Sequence, residues 1–252
     1  MQFFDSLTHP TISGDWYKHE DSSFETLDHF KSSTPIEYKA CAVNNPLFGC
    51  DNRSFYNLCS KRQWIFPVAG INSLDNIEQQ FNELIEIGYT AVKLHPRELC
   101  ITSLKQAEEV FDRCHKENIK LFLCTYYFSK ITNWPTTDYL NDLAAIFNQS
   151  PCYTILLHGG GVRLLEFAEF VRFNHNCLLD LSLTINKYAG SSIDSDIRFL
   201  LHRFDQRICV GTDHPENSIE SVIKRIQDLQ GNLDKEKLNN ILYKNLKNFL
   251  SI

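Results

Sequence analysis

The chain has 252 residues, 43% hydrophobic and 22% charged, with a net charge of −6. That is enough apolar material for one large core; it argues against a disordered chain, and the acidic balance offers no basic surface for nucleic acid. Nine cysteines, an odd number without a CxxC pair, do not read as a disulfide framework, and no apolar run approaches the roughly 18 residues of a membrane span. Asp5 interrupts the short apolar start, so no leader peptide is expected, and reduced thiols in a cytoplasmic setting are.

In chain order, residues 1–8 read as a strand running into His9-Pro10, and residues 23–31 carry Phe24, Leu27 and Phe30 at helical spacing before Pro35. Residues 36–43 predict the second strand, 52–62 a helix and 64–71 the third strand. From Leu74 the apolar positions Ile77, Phe81, Leu84 and Ile85 predict a helix with Gly88 at its C-terminus. Strand four is 90–94, followed by His95-Pro96 and one helix over 103–117. Strand five is 120–125, with a helix from 136 to 147. Residues 153–157 form strand six, which ends in His158 and three glycines ahead of a helix over 164–173. Strand seven is 177–182, followed by a helix over 194–204. Strand eight, 208–211, runs into Thr212-Asp213-His214-Pro215, and helices over 218–229 and 234–250 close the chain.

Eight strands alternating with helices predict an α/β fold, a single (β/α)8 TIM barrel over 1–252 with an extra C-terminal helix. In such a barrel the strand C-termini form the functional face. Lys93, His95, Cys124, His158, Asp180 and Asp213 fall at or near those ends. The loops 10–22, 44–51, 128–135 and 186–193 follow strands and are expected to shape a pocket there.

His9, His158 and Asp213 end three separate strands. Imidazole and carboxylate together can hold a zinc-like cation that acidifies a bound water; alternatively, Asp213 acts as general base while His158 polarises a carbonyl, with no metal. Lys93 inside a barrel must pair with a carboxylate or bind an anionic substrate, because an unpaired buried ammonium is costly. Arg163 can reach over the pocket and grip a carboxylate or phosphate, and His214 either faces the substrate or caps its loop. The three glycines match neither GxGxxG nor a P-loop, and GxSxG is absent.

FFDSLTHP, FPVAGI, GYTAVKLHP, ILLHGGG, LLDLS, ICVGTDHP and YKNLKNFL stand in this order along nearly the whole chain. Together they resemble the amidohydrolase-related (amidohydrolase 2) branch of the amidohydrolase superfamily of metal-dependent barrel hydrolases, which also includes decarboxylases and lactonases. The resemblance implies a hydrolase acting on a C–N or ester/lactone bond of a small, anionic molecule. In that family the matching Asp213 and His158 would be catalytic, and His9, Asp213 and Cys124 would bind one divalent metal, zinc or manganese, with His95 as a substitute ligand; Lys93, His95, Arg163 and His214 are the substrate-contact candidates that charge and position add. The branch begins Asp-x-His-x-His, whereas this chain has Leu7 at the first histidine position, and Cys124 stands where strand five usually ends in histidine. Those two departures leave open a metal-free mechanism, a decarboxylase, or a non-catalytic barrel that binds a small molecule or protein partner. Neither nucleic acid nor membrane is expected as a partner, and self-association stays open.

Overall fold

The computed structural model describes residues 1–48, 50–126 and 135–251. Eight strands, β1 (Gln2–Thr8), β2 (Glu37–Val43), β3 (Ile65–Gly70), β4 (Ala91–Leu94), β5 (Lys120–Cys124), β6 (Thr154–Leu157), β7 (Cys177–Asp180) and β8 (Ile208–Cys209), pair in sequential order. Every neighbouring pair is parallel. Parallel neighbours require a crossover, and helices supply it. These are α1 (Phe24–Ser33), α2 (Asn52–Cys59), α3 (Ile77–Ile87), α4 (Glu108–Lys116), α5 (Tyr139–Phe147), α6 (Leu164–Phe173), α7 (Thr184–Lys187) and α8 (Ile193–Arg203). After β8 come α9 (Ile219–Gln230), α10 (Lys235–Asn239) and α11 (Asn245–Leu250). The predicted TIM barrel is the fold observed.

The seam between β1 and the β8 end is joined by main-chain bonds, Ser6 N–H to Val210 O at 3.2 Å and Asp213 N–H to Leu7 O at 2.9 Å. A buried carboxylate reinforces it. Asp5 accepts from Thr212 N–H and Thr212 Oγ1, each at 2.8 Å, from Leu7 N–H at 3.2 Å and from Tyr38 Oη at 3.1 Å. Burial nevertheless outweighs these donors and raises the Asp5 pKa to about 7.

The period-two alternation of the strands divides the apolar residues into two layers. Phe4, Leu7, Cys41, Phe122 and Leu178 fill the barrel interior, and Tyr243, Leu246 and Leu250 pack with them. Residues such as Leu121, Leu123, Val92 and Leu156 face outward to the helices. Cys41 and Cys209 are part of the inner layer and Cys177 of the outer one; burial holds all three thiols well above their usual pKa.

Three local expectations change. Residues 103–117 are not one α-helix, because Ser103 and Gln106 form a capping box around a 3-10 turn, Leu104–Ala107, before α4 begins. The closing helix over 234–250 is interrupted by a π-helical turn, Asn240–Lys244, where Tyr243 joins the inner layer. The expected loop 186–193 begins inside α7. Of the expected loop 128–135, residues 128–134 lie outside the described residues. Among the described residues no helix is long and apolar enough to cross a membrane.

Candidate active site

The C-terminal mouth holds a cavity of about 170 Å³. Alternation places its floor: Ala91 and Lys93 of β4 face inward between outward-facing Val92 and Leu94, and Cys124 follows inward-facing Phe122 on β5. His9 stands just past β1, His158 just past β6 and Asp213 beyond β8. All line the cavity together with His95. A groove of about 340 Å³ runs outside the barrel along Arg53, Gln80 and Glu83. It contains none of His9, Lys93, His95, Cys124, His158 and Asp213, so volume alone does not mark the site.

His9 Nδ1 lies 3.3 Å from the Val43 carbonyl, which can only accept, so Nδ1 carries the proton and Nε2 of the neutral ring keeps its lone pair. The Lys93 ammonium donates into that lone pair at 3.1 Å. Asp213 Oδ1 is 3.4 Å from the same nitrogen. Burial, followed by the Lys93 charge, lowers the His9 pKa to about 4. Trp16 stacks on the imidazole, with ring centroids 4.1 Å apart.

His158 Nδ1 lies 3.1 Å from the Ser182 carbonyl, so its other nitrogen carries the second, titrating proton. Burial opposes that charge, but the Asp213 carboxylate and the Cys124 thiol outweigh it and raise the His158 pKa to about 9. For Asp213, burial is outweighed chiefly by the His158 charge, to which Lys93 adds, and the carboxyl is held below the usual carboxylate range. Burial likewise works against a Cys124 thiolate, yet His95 and His158 beside it pull the thiol well below its ordinary pKa. Near neutral pH His158 is therefore an imidazolium facing the Asp213 carboxylate.

The backbone is shaped to deliver these groups. His158 has φ of 66° and Asp213 of 54°, and Leu183, also in the wall, has 59°. Left-handed conformations at non-glycine residues are strained and cluster at functional sites. After His158 the chain continues left-handed, and at Gly160 a Cβ would lie 2.1 Å from the Phe167 ring. Only glycine fits this turn. Asp180, buried below, accepts from His158 N–H at 3.1 Å and from Ser6 Oγ at 2.5 Å, which ties β1, β6 and β7 together.

Of the sequence candidates, His9, Lys93, His95, Cys124, His158 and Asp213 share the cavity, whereas Arg163 and His214 are not in its wall. Arg163 forms ion pairs with Asp138 at 2.8 Å and with Glu166 at 2.5 Å. His214 is tucked beside the β1–β8 seam, where its main-chain carbonyl accepts from His9 N–H at 2.9 Å; burial lowers its pKa to about 4. The wall also contains Trp16, Tyr17, Arg97, Tyr126 and Lys187, which the sequence reading did not single out. Lys187 Nζ and the Arg97 guanidinium lie 5.3 and 5.9 Å from the Tyr126 ring centre. Glu98 joins three loops by accepting from Tyr17 Oη at 2.6 Å and Asn45 Nδ2 at 3.0 Å, with His95 Nε2 at 3.5 Å. Arg97 and Tyr126 stand just past β4 and β5, a positional signal, whereas Trp16 and Tyr17, deeper in their loop, and Lys187, at the end of α7, carried none.

The expected metal ligand set is not assembled. Among the described residues no three His, Cys, Asp or Glu side chains converge to hold an ion. The residues themselves give the reason: the His9 lone pair is taken by Lys93, and Leu7, fully buried in the inner layer, offers no donor. His9, Asp213 and Cys124 thus do not fit a divalent metal while Lys93 is in place.

Fold and cavity define a (β/α)8 barrel with a charged pocket at its C-terminal mouth. No family model matches the chain, and no curated protein matches it. Solved structures do. An uncharacterized TIM-barrel protein from Bordetella bronchiseptica matches at TM-score 0.81 and 15% identity over 100% of this chain and 99% of its own. A probable 2-pyrone-4,6-dicarboxylic acid hydrolase from Acinetobacter baumannii, with citric acid bound, matches at 0.73 and 15% over 100% of both chains. A dihydroxybenzoic acid decarboxylase from Polaromonas, with bound manganese and the inhibitor 2-nitroresorcinol, matches at 0.65 and 12% over 99% and 97%. At these identities the likeness is one of fold.

Proposed function

We propose that the protein is a hydrolase of the amidohydrolase-related type that cleaves an ester, lactone or C–N bond of a small anionic molecule without a metal cofactor. The observation that carries this reading is the pairing of a depressed carboxylate, Asp213, with a raised imidazolium, His158, in one cavity. Near neutral pH Asp213 is ionised and can accept a proton while His158 is protonated and can give one, the two states an acid–base pair needs. The cavity is also polar around both residues, as an enzyme's should be and a retired barrel's need not. Arg97, Lys187 and Lys93 supply the positive charge that an anionic substrate would meet.

In this mechanism Asp213 accepts a proton from water as its oxygen attacks the carbonyl carbon. His158 donates a hydrogen bond to the developing oxyanion and then protonates the leaving oxygen or nitrogen. Passing the Asp213 proton to His158 restores both groups. A hydrolase and a decarboxylase among the structures of like fold are compatible with chemistry on anionic molecules at this mouth.

The test is a screen of carboxylate-bearing esters, lactones and amides, with Asp213→Asn alongside. Hydrolysis reduced about 10²- to 10⁴-fold in the variant is expected. Turnover that survives Asp213→Asn would sink the reading. Release of CO2 from an aromatic or unsaturated acid without hydrolysis would assign the pocket to a decarboxylase.

A further inference from the structure

We infer that Lys93 stands in the position of a catalytic divalent cation, so that the pocket carries its positive charge on the polypeptide. The argument is geometric. Lys93 is 5% exposed, and its ammonium lies 3.1 Å from His9 Nε2, the one nitrogen of that ring free to bind a cation. Asp213 Oδ1, 3.4 Å from the same nitrogen, completes the anionic side. A metal at His9 would need the lone pair that Lys93 uses, and two cations cannot share it.

Leu7 agrees with this arrangement. Leu7 is fully buried among Phe4, Cys41 and Phe122 of the inner layer, so the β1 strand presents one imidazole to the cavity rather than two. A divalent ion bound only by His9 and Asp213 would lack the three protein ligands usual for catalytic zinc. A lysine asks less of its surroundings: one lone pair and one nearby carboxylate offset much of the cost of burying its charge.

The replacement is not chemically equivalent. An ammonium can fix His9, offset the Asp213 charge and donate to an oxyanion. It does not acidify a bound water as a divalent ion does. The burden of taking the water proton then falls on Asp213, which Lys93 and His158 hold ionised.

The experiment is Zn²⁺ binding by the full chain, measured by elemental mass spectrometry after dialysis and by calorimetry, for wild type, Lys93→Ala, Lys93→Met and Lys93→Ala/Asp213→Ala. Circular dichroism checks that each variant folds, and Lys93→Met keeps the apolar stem should the alanine variant fail. Wild type is expected to hold well under one equivalent. Removing Lys93 is expected to tighten Zn²⁺ binding at least about tenfold, and the additional loss of Asp213 to abolish the gain. One equivalent of Zn²⁺ in wild type overturns the inference, and so does unchanged affinity in both Lys93 variants. Because the readout is metal rather than turnover, it stands or falls separately from the hydrolase reading.

Discussion

Lys93 Nζ and His9 Nε2 lie 3.1 Å apart on the pocket floor, the ammonium donating and the neutral imidazole accepting. The contact joins β4 to the end of β1, and burial together with the Lys93 charge keeps His9 from taking up a proton. With the folded pKa pushed down to about 4 and an ordinary histidine near 6.5 in the unfolded chain, the unfolded state binds the extra proton between those values. Stability from this group is therefore complete above about pH 6.5 and declines as pH falls towards 4, by up to roughly 3 kcal/mol. Urea unfolding of wild type and His9→Gln from pH 7 to 4.5 should show a shallower decline in the variant. Equal slopes would mean that His9 titrates normally.

His158 titrates in the opposite sense. Its pKa of about 9 means that the acid form persists through neutrality and is lost as pH rises through about 9. Once a substrate is in hand, kcat/KM should fall tenfold per pH unit above that point. Replacing His158 with Gln should lower the plateau about 10²-fold or more and remove the alkaline limb. A limb that persists in the variant would assign it to another group.

Cys124 is expected to behave as a thiolate among inert thiols. At about pH 6.5 iodoacetamide should modify Cys124 ahead of the exposed Cys100, because only the former has flanking imidazoles. His158→Gln should slow that reaction about tenfold. Peptide mapping by mass spectrometry reads both rates, and labelling of Cys100 first would show that the histidines do not ionise Cys124.

Two glycines with positive φ separate space from conformation. At Gly160 a Cβ would enter the Phe167 ring, whereas at Gly190, with φ of 83°, nothing lies within 4 Å. Gly190→Ala should cost only the backbone strain, about 1 kcal/mol, while Gly160→Ala should cost about 3 kcal/mol or more by adding overpacking. Thermal denaturation of both variants checks the difference, and similar losses would show that the ring moves aside at little cost.

The barrel was legible in the sequence because its signals are periodic and local. Apolar runs such as Ile155–Leu157 and Leu121–Leu123 sit between helical patterns, and polar residues stand at each strand's end. His9, Lys93, His95, Cys124, His158 and Asp213 were found by that position alone. Arg163 looked like a pocket residue by the same logic, but Asp138, whose side chain also caps α5, and Glu166 engage its guanidinium. Trp16, Tyr17 and Lys187 were missed as individuals because whether a loop folds over or away from a mouth is decided by tertiary contacts such as Trp16 on His9. Chemistry at Lys93 was unreadable for the same reason. Whether a buried lysine meets a carboxylate, a substrate or an imidazole depends on a strand 84 residues away in the chain.

The β1–β8 seam also orders events in time. Thr212 and Asp5, which meet across it, are 207 residues apart in sequence, and the pocket's two anchors, His9 and Asp213, follow those same two strands. A chain emerging in N-to-C order can pair seven strands before the eighth exists, but it cannot bring His9 to Asp213 until the last strand docks. Any activity of this pocket would therefore report closure of the whole barrel, and a refolding experiment followed by turnover would time its slowest long-range contact.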